Sequence, residues 1–328
     1  MAMTRDATQR DVQANGITLR ITEQGEGPLV LLCHGWPELA YSWRHQMPVL
    51  ANAGYRVVAP DMRGYGGSSV PHDIQAYDIA QLVGDMVGLV GALGEQEACI
   101  VGHDWGANVA WNAALMRPDL FKAVAALSVP HRSRNPKGEP MALLRAAGLT
   151  DFYWFYFNRE GAPEAEFERD ITASVRRVLF SGSGDAPPDS AMRLRLEGDA
   201  GFLDKSIDPD PLPSWLTQDD VAVFAQAFKK NGFRGPFNWY RNIDRNWALL
   251  APFQDAKVMP PALFIAGERD AVIASPMGRG MLESLHQAVA NLRASVVIPE
   301  GGHWIQQEKP AEVNAALLSF LAKDYPSS

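Results

Sequence analysis

The sequence predicts an α/β fold: a mostly parallel sheet flanked by helices, interrupted by a helical domain. Three observations carry that expectation. Short apolar runs alternate with longer amphipathic segments over the first 130 residues, the alternation stops between about His131 and Trp247, and it then resumes. The chain has 328 residues, enough for two ordinary domains or one large fold carrying an insertion. With 47% hydrophobic and 21% charged residues it has a globular composition and needs no disulfide framework to be stable.

Taken in order, Ile17–Glu23, Leu29–Cys33, Arg56–Pro60, Ala98–Gly102 and Val124–Ser128 read as strands. The later ones are continuous runs of Val, Ile, Leu and Ala, as parallel strands covered on both faces are. Between them Ser42–Ala53, Ile79–Leu93 and Ala107–Arg117 read as helices, the last stopped by Pro118. The middle of the chain offers the helical segments Asp151–Asn158, Ala165–Leu179 and Asp219–Asn231, with Pro- and Gly-rich breaks at Ser181–Asp189 and Asp208–Pro213. Strands return at Ala262–Ala266 and Ala294–Ile298, and a helix near Ala311–Lys323 closes the chain. The expected division is a core of residues 1–130 and 248–328 with a helical cap of residues 131–247.

Charge and composition exclude several classes. Thirty basic against 38 acidic residues give a net charge of −8, which disfavours nucleic acid as the partner, because phosphate binding wants a basic face. The two cysteines, Cys33 and Cys99, lie in apolar runs and read as buried free thiols. The polar stretch Met1–Gly16 has no apolar leader, and no run approaches the roughly 18 apolar residues of a membrane span, so the cytosol is the default compartment. Cys-x-x-Cys, His-Glu-x-x-His and Gly-rich phosphate loops are lacking, so neither a metal nor a cofactor is expected. A homo-oligomer is compatible with the sequence.

The strongest local signal is Gly102-His103-Asp104-Trp105-Gly106, between a strand and a helix. A tight turn of this kind lifts its middle side chain above the sheet, beside a helix N-terminus. Here that residue is Asp104. A carboxylate is already ionised near neutral pH and is suited to attack saturated carbon, leaving an alkyl ester on the enzyme. A helix cap is the alternative use of such an Asp. Asp270 follows a strand in Gly267-Glu268-Arg269-Asp270, and His303 follows another in Gly301-Gly302-His303-Trp304. Nucleophile, acid, histidine is the order of an α/β-hydrolase triad. His34-Gly35-Trp36-Pro37 follows Leu29–Cys33, so the Trp36 and Trp105 amides are the expected oxyanion donors, and Trp36–Pro37 is a candidate cis bond.

Together these motifs resemble the soluble epoxide hydrolases of the α/β-hydrolase fold. The resembling segments are His34–Met47, Asp61–Ser68, Gly102–Ala107, Phe233–Asn242 and Gly301–Trp304. The resemblance implies two cap tyrosines that protonate the epoxide oxygen. Tyr240 occupies the matching motif, and Tyr153 aligns best for the other, with Tyr156 as the fallback. It also implies a water-positioning role for Glu38 in His34–Glu38, while Trp154, Phe155 and Trp239 are expected to line a pocket for an apolar or aryl small-molecule epoxide. The mammalian relatives carry a further amino-terminal phosphatase domain, for which this chain is expected to have no room.

A dehalogenase shares the fold, the Asp nucleophile and the base, and is the alternative. Fluoroacetate-type enzymes place arginines just after the nucleophile, where this chain has Trp105 and Asn108, and a His-Trp pair where it has Tyr153-Trp154. Haloalkane dehalogenases typically have Asn at the place of Trp36. A non-catalytic ligand receptor of the same fold is a further reading, weakened by three chemically competent triad side chains. An ordinary serine esterase is disfavoured because Ser128 and the other serines lie outside any such elbow.

Overall fold

The computed structural model describes residues 6–187, 194–196, 198 and 200–327. Eight strands among them form one sheet: β1 (Thr8–Ala14), β2 (Ile17–Gln24), β3 (Leu29–Cys33), β4 (Arg56–Pro60), β5 (Ala98–His103), β6 (Phe121–Leu127), β7 (Ala262–Gly267) and β8 (Leu292–Ile298). Their order is β1-β2-β4-β3-β5-β6-β7-β8. β2 runs antiparallel to both β1 and β4, and every pairing from β4 through β3 to β8 is parallel.

Side-chain alternation along the strands divides the core in two. Val30, Leu32, Val57, Cys99, Val101 and Ile265 join the cluster under α1 (Met47–Asn52) and the last helix. Leu31, Cys33, Val58, Ile100, Val124 and Phe264 face α2 (Ile79–Ala92) and α3 (Trp105–Met116). β3 and β5 are buried at every position, and each of their larger side chains stabilises the fold by roughly 1.5–3 kcal/mol.

Between β6 and β7 come α4 (Pro140–Ala146), α5 (Tyr153–Phe157), α6 (Ala162–Glu168), α7 (Ile171–Gly182), α8 (Gln218–Asn231), α9 (Arg234–Arg241) and α10 (Ile243–Leu249). This inserted helical cap shares a hydrophobic cluster with one face of the sheet: Phe157, Phe167, Phe237 and Tyr240 all pack around Trp36 of the core. After β7 follow α11 (Ala271–Ala274) and α12 (Pro276–Ala288), and after β8 follow α13 (Ile305–Glu308) and α14 (Pro310–Asp324). Among the described residues no helix is long and apolar enough to cross a membrane.

Several sequence expectations need correction. β1 lay in a stretch read only as polar, because just Val12 and Ala14 of it are buried and the rest faces solvent. Ser42–Ala53 is not one helix but a 3₁₀ turn, Ala40–Trp43, followed by α1. Pro48 sits at the start of α1, where its missing N–H costs nothing, and inside a longer helix it would clash with the preceding turn. Ala165–Leu179 is likewise two helices, broken where Asp170 accepts the Ala173 amide and caps α7. α3 begins at Trp105 rather than Ala107, and β6 ends at Leu127, leaving Ser128 outside it. Of the break expected at Ser181–Asp189, α7 takes Ser181 and Gly182, while Pro188 and Asp189 lie outside the described residues, as do Met1–Arg5.

Candidate active site

Three glycines make the site sterically possible. A Cβ on Gly102 would come within 2.0 Å of the Gly106 carbonyl oxygen, and one on Gly106 within 2.1 Å of the Cys33 carbonyl oxygen. One on Gly35 would meet the Asp104 Cβ at 2.5 Å. β3, β5 and α3 therefore approach to backbone contact around the turn. Gly106→Ala is expected to lower the melting temperature sharply or abolish soluble expression, because the crowding atoms are backbone. A loss of about 3 kcal/mol, read from thermal or urea unfolding, is the expected scale.

Asp104 sits on that turn with φ +53°, a strained value for a residue with a side chain. Its Oδ1 accepts the Trp36 amide at 2.8 Å, next to the cis Trp36–Pro37 bond. Trp105 opens α3 directly after Asp104, so its amide lies at the helix N-terminus. On the other side, His303 Nε2 lies 3.6 Å from Asp104 Oδ2. His303 Nδ1 faces Asp270 Oδ1 at 3.1 Å and Ser128 Oγ at 2.9 Å. Asp270 is fully buried, caps α11 through the Val272 amide and accepts the Ser128 hydroxyl at 2.5 Å. Burial disfavours the His303 imidazolium, but Asp270 and Asp104 outweigh it and raise the His303 pKa well above the ordinary value. The same contacts, with His303 the main one, hold the Asp270 carboxyl below its usual range despite burial.

Asp104 opens onto a cavity of about 610 Å³ with Trp105, Phe152, Tyr153, Trp154 and Tyr240 among its walls. Tyr240 packs edge-on to the Trp105 ring at 5.1 Å, and Tyr153 and Tyr240 have ring centroids 5.8 Å apart. Burial, and then the nearby Asp104 charge for Tyr153 or the Tyr153 hydroxyl and Asp104 for Tyr240, push both phenol pKa values upward. They stay protonated over the whole working range. The fallback, Tyr156, points instead toward the Ala162 carbonyl and Glu166.

Three expected residues are placed elsewhere. Phe155 lies outside the cavity wall, beneath the Arg145 guanidinium at 4.8 Å. Trp239 is fully buried, with its indole N–H donating to the Arg63 carbonyl and its ring against Tyr65. Both lie in aromatic helical runs whose inward face no spacing rule identified. Glu38 is fully buried, and its carboxylate accepts Gly35 N and His103 Nδ1 on Oε2 and the Gln306 and Gln307 amides on Oε1. Those four bonds occupy the carboxylate's acceptor sites and leave none for a cavity water. Burial opposes ionisation, but His103 and its other neighbours bring the Glu38 pKa down to about 2. Glu38 thus acts at one remove, since His103 Nε2 bonds the His303 carbonyl at 2.7 Å.

Sequence reasoning missed Ser128 and Glu308. Glu308 accepts the amides of Gly184, Gly302 and Trp304, pinning the loop that carries His303. Burial pushes its carboxyl up to about 7 in spite of those donors. An acidic residue shortly after a Gly-Gly-His loop was the only available signal.

The family model described as alpha/beta hydrolase fold matches residues 28–310. Epoxide hydrolase A of Mycobacterium tuberculosis is 45% identical over 96% of this chain and 97% of its own length. Bifunctional epoxide hydrolase 2 of Sus scrofa is 39% identical over 94% of this chain but only 54% of its own length. The crystal structure of epoxide hydrolase A from Mycobacterium thermoresistibile superposes with a TM-score of 0.90 at 46% identity, covering 96% of this chain and 98% of that one. With the elbow Asp, the buried acid and histidine, and the paired tyrosines on one cavity, the chain belongs to the epoxide hydrolase family of the α/β-hydrolase fold.

Proposed function

We propose that the protein opens an apolar or aryl epoxide to a vicinal diol through an ester on Asp104. The observation that carries this reading is the pair Tyr153 and Tyr240 beside Asp104 in one largely apolar cavity. An alkoxide is a poor leaving group, so a ring-opening carboxylate needs an acid on the far side of the C–O bond. A dehalogenase has no use for that acid, and the relatives do not favour it.

In the first half-reaction an Asp104 oxygen attacks an epoxide carbon while Tyr153 and Tyr240 hydrogen-bond the departing oxygen and supply its proton. In the second, His303 Nε2 takes a proton from water, and the hydroxide attacks the ester carbon. The Trp36 and Trp105 amides receive the oxyanion, and Asp270 stabilises the imidazolium. Collapse of the tetrahedral intermediate then breaks the ester C–O bond, the imidazolium protonates the departing diol oxygen, and the Asp104 carboxyl returns its proton to the tyrosine pair. Ester formation removes the Asp104 charge, one of the two anions that raise the His303 pKa. Alkylation itself therefore shifts His303 toward the neutral base form that the second step requires. We place the cap boundary at residues 131–247 and the protein in the cytosol.

The test is the intact mass of a His303→Gln variant after exposure to styrene oxide or, separately, a 1-haloalkane. One whole epoxide added, and mapped to Asp104, is expected. An adduct with the haloalkane alone would overturn the reading in favour of a dehalogenase. Tyr153→Phe and Tyr240→Phe are each expected to slow single-turnover alkylation by about 10²-fold, with the ester-hydrolysis rate little changed, as stopped-flow tryptophan fluorescence would resolve.

A further inference from the structure

Ser128 is the least expected residue at the centre of the site. It is fully buried and carries φ +71°, a left-handed value rare for any residue with a side chain. The Val129 amide donates back to the Leu127 carbonyl at 2.9 Å, closing a three-residue turn of the strained, positive-φ kind around Ser128. The same Leu127 carbonyl accepts the Asp104 amide at 3.3 Å, and the Ser128 amide reaches the Ile265 carbonyl at 2.8 Å. The strained turn is thus tied to the nucleophile's strand on one side and the acid's strand on the other.

Its effect is to aim the hydroxyl. Ser128 Oγ lies 2.5 Å from Asp270 Oδ2 and 2.9 Å from His303 Nδ1. Asp270 can only accept, so the serine proton goes to the carboxylate, and the lone pairs of Oγ face Nδ1–H. Nδ1–H is then held between two acceptors, Asp270 Oδ1 and Ser128 Oγ. A ring held by one acceptor can swing about that contact; a ring held by two cannot. Backbone strain that persists in a fully buried position, with both hydroxyl functions used on catalytic groups, points to selection for that placement.

We propose that Ser128 is a positioning residue for the hydrolytic half-reaction: its hydroxyl braces Asp270 and His303 together, fixing the tautomer and the direction in which Nε2 faces the Asp104 ester. It touches neither epoxide nor Asp104, so it has no part in ring opening. The proposal rests on the epoxide-hydrolase reading.

The experiment compares wild type, Ser128→Ala, Ser128→Gly and His303→Gln with styrene oxide, following alkylation by stopped-flow tryptophan fluorescence and the ester by intact mass. In Ser128→Ala, ester hydrolysis is expected to slow about 10-fold, the ester to accumulate at steady state, and alkylation to stay within about 2-fold. Glycine relieves the φ strain but restores no hydroxyl, so Ser128→Gly is expected to match alanine in this partitioning. Equal slowing of both half-reactions, wild-type hydrolysis in Ser128→Ala, or recovery in Ser128→Gly would each overturn the proposal, the last by assigning the role to the backbone. Failure of the underlying reading looks different: His303→Gln would then form no epoxide adduct at all.

Discussion

Asp104→Ala is expected to abolish turnover of styrene oxide, with kcat falling at least about 10⁴-fold and no ester detectable by intact mass. The reason is chemical, not structural. Asp104 supplies the carboxylate facing the Tyr153–Tyr240 side of the cavity, and its neighbours Trp36, His303 and Tyr240 are arranged around its oxygens and ring-opening space. Alanine removes every atom that can form the bond to carbon. The variant should still fold, because the glycines that allow the turn are untouched and the strained φ is imposed by β5 and α3. Thermal unfolding within a few degrees of wild type, together with no activity, is the expected pair of results. Near-wild-type turnover would sink the mechanism.

Asp270→Asn should act on a different step. The carboxylate accepts from His303 Nδ1, Ser128 Oγ and the Val272 amide. An amide at this position presents N–H where an acceptor is needed, so the imidazole is released or turned and its cation loses its counter-charge. Ester hydrolysis is expected to fall by up to about 10⁴-fold while alkylation continues, so the ester becomes the dominant species by mass. The pH dependence follows from the same contacts. In the proposed mechanism the base of the ester form is neutral His303 with Asp270 as its remaining anionic neighbour, and Asp270 raises its pKa, so hydrolysis in the wild type is expected to climb as pH rises through that value. Without the carboxylate the pKa drops. The rising limb should therefore move to lower pH, toward a much lower plateau. A limb that stays in place would show that Asp270 does not act on the imidazole.

The buried parallel strands were legible because both of their faces are covered, so β3 and β7 are uninterrupted apolar runs, β4 is one after Arg56 and β5 is one up to His103. β1 was not, since only two of its side chains enter the core, and α12 was not, since only Gly278 and Leu285 of it are buried. The residues Asp104, Asp270 and His303 were readable because each follows a strand within a recognisable glycine-containing turn, and the structure brings all three to one place. Ser128 follows a strand too, but its use depends on β6 lying between β5 and β7, which is a fact of topology. Glu38 reads from the sequence as a candidate for positioning water, whereas its protein partners Gly35, His103, Gln306 and Gln307 are visible only in the structure, because proximity to the motif does not say which way a side chain points. Phe155 and Trp239 failed for the same reason within aromatic helices.

The loops carrying His303 and Asp270 are fastened to the cap as well as to the sheet. The His303 amide donates to Gly182 O at 2.7 Å, the Trp304 indole to Leu179 O at 2.6 Å, and Arg269 to Gly184 O at 2.9 Å, while the Gly184 amide donates to Glu308 at 2.8 Å. If each bond is worth about 1 kcal/mol net, lifting that end of α7 costs on the order of 4 kcal/mol, and the lifted form is populated about once per thousand molecules. That end of the cap is therefore held down in nearly every molecule. The ordering entropy of the base is thereby met during folding rather than in each catalytic cycle, and the imidazole stands in register before any epoxide arrives.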